Sequence, residues 1–154
     1  MNRNILTATL CVAALGLTAC ENTGGMAANS KVCIDWKQSK PAASVVGAEG
    51  AGPVDECVKR WAYTLAASSD DAGTVAEAAA GACSVQLSRW NQASLGQPGG
   101  DAEATSITTG ETTTPLAEHN AFTRNRALFY VVQARAGHCD APPIKDGAPE
   151  GIPG

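Results

Sequence analysis

Positive charge is in short supply in this 154-residue chain: 11 lysines and arginines face 15 aspartates and glutamates. They form no basic cluster, and an acidic chain without one lacks the concentrated positive surface that a phosphate backbone requires. Nucleic acid is therefore excluded as a partner, and a basic face gripping anionic lipid is disfavoured. Aromatics are scarce, with three Trp, two Tyr and two Phe, so any core must be thin. The apolar run near the N-terminus, Ile5 to Leu17, has 13 residues, whereas a membrane-spanning helix needs about 20. None of G-x-S-x-G, H-E-x-x-H or G-x-x-x-x-G-K-[ST] occurs, which removes the commonest hydrolase, zinc-protease and phosphate-loop signatures.

What the N-terminus does contain is a short polar start, Met1-Asn2-Arg3-Asn4, then the uncharged run, then Leu17-Thr18-Ala19-Cys20 with Glu21 following. A charged start, an apolar run of this length and small residues before a cut site make a secretory signal. Leu17-Thr18-Ala19-Cys20 closely resembles the lipobox of bacterial lipoproteins. The resemblance covers residues 1–21. It implies cleavage of residues 1–19, lipidation of the Cys20 thiol and anchorage on a membrane outside the cytoplasm. Each buried CH₂ of an acyl chain adds about 0.8 kcal/mol of membrane affinity, so two or three chains anchor durably where one does not. Cys11 falls in the discarded run. In enteric bacteria the inner-membrane retention signal after the cysteine is Asp. Glu21 in its place points to the periplasmic face of the outer membrane.

Cleavage before Cys20 leaves residues 20–154, enough for one small domain. Four cysteines remain beyond Cys20: Cys33, Cys57, Cys83 and Cys139. An even number in an exported small domain reads as two disulfides. A four-thiolate zinc site would bring its ligands in close C-x₂₋₄-C pairs, and here the gaps are 24, 26 and 56 residues.

The expected fold is a small all-α domain of three helices over residues 31–139, with a flexible tether over 20–30 and a disordered tail over 140–154. Lys31 to Trp36 reads as a short extended segment and 39–52 as a small-residue linker. The first helix starts at Pro53, a residue suited to the first helical turn, and runs to about Ser68. Asp55 and Glu56 complement its dipole, and Val54, Cys57, Val58, Trp61 and Leu65 form its stripe. The second starts at Asp70 or at the capping box Thr74-Val75-Ala76-Glu77 and runs to Ala93. Residues 94–114 are a polar loop whose composition favours disorder. The third helix spans Pro115 to Ala136, with Thr114 as N-cap. Its apolar members are Leu116, Ala121, Leu128, Phe129, Val131 and Val132, and Gly137 is placed as its C-terminal cap.

Helix geometry also chooses the cysteine pairing. In an antiparallel hairpin, facing residues have a nearly constant sum of numbers, here near 140 for a turn between Ser69 and Asp71. Cys57 and Cys83 add to 140, and both lie on apolar stripes. The expected bonds are Cys57–Cys83 and, by remainder, Cys33–Cys139. The same sum sets Trp61 opposite Ala79, a large residue against a small one.

Candidate chemistry is sparse. On one helix rising about 1.5 Å per residue, His119 and His138 stand close to 30 Å apart and cannot share a metal. A Cys139–His138 nucleophile pair needs neighbours that point at each other and a free thiol. The three tryptophans could line a groove or build the core. His119, Arg124 and Arg126 make one end of the last helix densely polar and form the candidate interaction face. The resulting expectation is a non-enzymatic lipoprotein with an interaction or structural role, bound to the membrane through Cys20 and to another envelope protein, with no cofactor. The alternatives are a small-ligand or metal-binding module and an enzyme of unrecognised type.

Overall fold

The computed structural model describes residues 27–39, 50–106 and 108–152. The expected signal run, Cys20, Glu21 and most of the expected 39–52 linker lie outside the described residues. The domain is mainly helical and carries both disulfides, Cys33–Cys139 and Cys57–Cys83, with Cα separations of 5.2 and 5.8 Å. The described residues form four helices rather than three: α1 (Ala51–Leu65), α2 (Ala72–Ala82), α3 (Ser84–Leu95) and α4 (Pro115–Gly137).

Helix α1 begins two residues before Pro53, so its proline occupies the third position of the helix. Its stripe buries Val54, Cys57, Val58, Ala62 and Tyr63, while Trp61 and Leu65 are partly buried at the margin of the core. Helix α2 is capped by Asp71, whose carboxylate accepts from the Thr74 amide at 2.9 Å. Thr74 is thus the recipient of the cap, not its source.

The expected second helix is broken at Cys83. Its backbone sits at φ −102°, ψ 15°, in the sparsely populated bridge region. Its amide bonds back to Ala80 O at 3.0 Å, a three-residue spacing that tightens the turn. A break of the i→i−4 ladder redirects a helix, and α3 leaves this point to lie against α4. The side chain of Cys83 is fully buried and bonded to Cys57 on α1, so the bend is tied to the core.

Helix α4 is the axis against which α1, α2 and α3 pack. Thr114 caps it, accepting from Ala117 N at 3.3 Å. Its buried face is Thr123, Ala127, Tyr130, Val131 and Ala134, mostly small residues that let neighbouring helices approach closely. Of the apolar members read from its sequence, Val131 is buried. Leu128, Phe129 and Val132 turn outwards, 40%, 53% and 50% exposed. His138, not Gly137, takes the left-handed capping conformation at φ 50°, ψ 45°. Gly137 serves another purpose, because a Cβ there would fall 2.7 Å from Cys139 Sγ and 2.8 Å from Cys33 Sγ. Arg135 reaches back to the carbonyls of Ala66, Ser68 and Asp70, supplying donors where α1 ends and its last carbonyls lack partners.

Three segments are more ordered than composition suggested. Lys31–Trp36 is a pair of turns rather than an extended segment, and the chain already engages the domain at Asn29, whose amide donates to Gly137 O at 2.8 Å. Within 94–114, β1 (Ala104–Thr105) pairs antiparallel with β2 (Thr112–Thr113). At Gly100 any side chain would lie 1.9 Å from Ser94 O, so the loop folds tightly onto the end of α3. In the segment expected to be a disordered tail, β3 (Ile144–Lys145) pairs with β4 (Ala148–Pro149). Asp146 and Gly147 both have positive φ, as a two-residue type I′ turn requires. Arg60, buried on α1, clasps this hairpin by donating to Glu150 O at 2.6 Å. Its guanidinium lies 4.9 Å over the Trp36 ring.

Candidate functional site

A cavity of about 440 Å³ lies between the loop that carries β1 and β2 and the N-terminal half of α4. Glu118, Phe122 and Asn125 line it from α4, at the i, i+4, i+7 spacing that puts residues on one helix face. Ser106, Thr109 and Glu111 line it from the loop. Ser106 is buried and organises that wall. Its hydroxyl accepts from the Thr108 and Thr109 amides at 3.3 and 3.4 Å, and its amide donates to Glu111 O at 2.8 Å. A second hollow of about 310 Å³ borders α1 at Ala51 and Asp55, and it shares Phe122 and Arg126 with the first.

Arg126 closes one end of the groove and is held from behind. Its Nε donates to Asp55 Oδ1 at 2.5 Å and its Nη2 bonds to the Tyr130 hydroxyl. That hydroxyl lies 2.9 Å from Asp55 Oδ2 and donates to it. Burial, reinforced by the Asp55 carboxylate, pushes the Tyr130 phenol far above its ordinary range, so it stays protonated. The hydrogen bond to Asp55 in turn raises the Arg126 guanidinium, which remains a cation. The carboxylate, phenol and cation form a fixed cross-brace between α1 and α4.

His119, Arg124 and Arg126 do not assemble into one face. At about 100° per residue, Arg124 points well away from His119 and Arg126. It is 58% exposed, with a loose 4.0 Å ion pair to Glu77 of α2. The His119 ring stacks on Trp90, centroids 3.6 Å apart, and its Nδ1 donates to Asn91 Oδ1 at 2.8 Å. Desolvation in this stack lowers its pKa below the ordinary histidine value. It therefore joins α3 to α4 as a neutral ring. His138 is exposed at the far end of α4 beside Cys139, whose sulfur is bonded to Cys33 and is no free nucleophile. The tryptophans have separate neighbours: Trp36 stands edge-on to Tyr63, and Trp90 edge-on to Phe122.

Asp55, Phe122, Ser106 and Glu111 were not singled out in the sequence as site residues. The Arg126–Tyr130 spacing of four was a visible signal for one part of the brace. The groove wall carried none, because it arises where a distant loop folds back on α4. Around Phe122 the groove offers hydroxyls, carboxylates, an amide and one braced cation. That set suits hydrogen bonding to a small polar ligand over an aromatic floor. Among the described residues, no group of three or more His, Cys, Asp or Glu side chains converges as metal ligands. No family model, curated protein or solved structure matches the chain.

Proposed function

We propose that this chain is a bacterial envelope lipoprotein, acylated on Cys20, whose disulfide-bonded helical domain has a non-enzymatic interaction or structural role at the periplasmic face of the outer membrane. The observation that carries this reading is the lipobox-like Leu17-Thr18-Ala19-Cys20 at the end of a 13-residue uncharged run. The two disulfides support it, since such bonds persist in oxidising compartments outside the cytoplasm. Among the described residues no helix is long and apolar enough to cross a membrane, and lipid on Cys20 supplies the attachment. Palmitate labelling of wild type and Cys20→Ala tests it: label is expected in the wild type alone, and equal labelling of the two overturns the assignment.

The groove over Phe122 favours one second reading, a module that holds a small polar ligand beside its interaction role. Native mass spectrometry of protein purified from the periplasm is expected to show a bound mass that Phe122→Ala loses. A bare chain mass from both proteins removes this reading.

A further inference from the structure

The outward face of α4 is unusual for an acidic chain. The stripe Ala121, Asn125, Leu128, Phe129, Val132 and Ala136 repeats at helical spacing and carries no charge. Its three large members are between 40% and 53% exposed. From His119 to Gly137 the helix has three arginines and no acidic residue, although the chain as a whole is net −4. Arg126 is braced by Asp55 and lies 5.4 Å from the Phe129 ring centre, and Arg135 is bonded to the Ala66 carbonyl. Arg124, only loosely paired with Glu77, flanks the stripe with its side chain 58% exposed.

The tether enters beside this stripe. Asn29 bonds to Gly137 O and Cys33 to Cys139, so the incoming chain is fastened to the C-terminal end of α4. Cys20 and Asn29 are joined by only eight intervening residues, a reach of at most about 30 Å. Along the helix, Val132 lies about 7.5 Å and Leu128 about 13.5 Å from Gly137. An anchor on Cys20 therefore holds the stripe within reach of the lipid surface.

The geometry points to a docking function for this face: Leu128, Phe129 and Val132 enter the interfacial layer of the anchoring bilayer, with Arg124 at the headgroup phosphates. This inference rests on the lipoprotein reading. A lipid surface fits better than a second copy of the chain. The apolar part of this face is three large side chains, each only about half exposed, far short of the about 800 Å² per partner that a stable dimer needs. Shallow burial of one helix face, about 5–10 Å deep, is what such a stripe can achieve on a membrane.

The test uses the full lipidated chain in phosphatidylethanolamine–phosphatidylglycerol vesicles that contain a phosphatidylcholine with a photoactivatable acyl chain. Val85 and Leu95 on α3 are comparably exposed, at 54% and 48%, and serve as internal controls. Labelling at Leu128, Phe129 and Val132 is expected to exceed that at the controls severalfold, because interfacial insertion buries one helix face and leaves the rest of the domain in water. Phe129→Asp, a change at an exposed site, is expected to abolish the excess at Leu128 and Val132 while the acyl group on Cys20 and vesicle attachment persist. Equal labelling of stripe and controls in a chain that carries lipid on Cys20 overturns the docking inference and leaves the lipoprotein reading standing. Crosslinks between two copies through the stripe also overturn it. Absence of lipid on Cys20 overturns both.

Discussion

Replacing Gly137 by alanine sets two effects of known sign against each other. Alanine is favoured over glycine inside a helix by up to about 1 kcal/mol, and somewhat less in the last helical residue, which Gly137 is. Against this, the new methyl falls 2.7 and 2.8 Å from the two sulfurs of the Cys33–Cys139 bond. Those atoms are covalently joined and cannot swing aside, so the helix end or the N-terminal turn must move. Overpacking of this kind costs about 1–3 kcal/mol. The net expectation for Gly137→Ala is a loss of about 1–2 kcal/mol. In a Cys33→Ala/Cys139→Ala background the sulfurs are gone, and the nearest remaining obstacle is Val32 Cγ1 at 3.3 Å. There the helix preference prevails and the same substitution stabilises by about 0.5 kcal/mol. The resulting coupling, about 2 kcal/mol, falls in the range seen for residues in direct contact. Urea unfolding of the four proteins of this cycle, without reductant, measures it. Losing a bond that spans 106 residues removes nearly 5 kcal/mol on the chain-entropy account. Adding sucrose to all four samples keeps the weakened background folded. A Gly137→Ala effect of equal sign and size in both backgrounds would refute the steric account of this glycine.

Two further outcomes follow from buried titratable groups. His119 is held neutral by desolvation, so its folded pKa lies below the value of 6.5 for the unfolded chain. The stabilisation is complete above pH 6.5 and is lost as the pH falls through the lower folded value. Proton NMR titration of the imidazole should place His119 below 6.5, and a midpoint at or above that value contradicts the stacked arrangement. Both tyrosines are raised above 10.0 by burial. Their contribution is therefore present below pH 10 and declines above it. Ultraviolet titration at pH 10 should find less tyrosinate in the folded protein than in the unfolded chain. Tyr130→Phe, which removes the link to Asp55, should lower stability by about 1 kcal/mol in thermal unfolding. An unchanged midpoint would mean that Asp55 and Arg126 brace the helices without it.

Much of the skeleton was legible because it depends on local pattern. The Thr114 cap, the proline at 115 and the run to residue 136 marked α4 to within one residue. The disulfide Cys57–Cys83 followed from hairpin arithmetic, because antiparallel neighbours on a short turn meet in a fixed register. The β3–β4 turn was also written in the sequence: Asp146-Gly147 is a strong short-range hairpin signal. It was outweighed by the proline- and glycine-rich composition around it. Its order comes from a partner 90 residues away, the Arg60 guanidinium on Glu150 O.

The sequence by itself determined the helical class and the Cys57–Cys83 pairing, since each rests on spacing within a short stretch of chain. Tertiary structure alone decided the rest. Whether Leu128, Phe129 and Val132 face inwards depends on which side of α4 its neighbours occupy. α1 and α2 chose the small-residue side that permits close approach. The bend at Cys83 depends on where α3 must go to reach α4. The groove over Phe122 exists only because a loop folds back over a helix face. Such features record how separate elements meet, and no local pattern encodes that meeting.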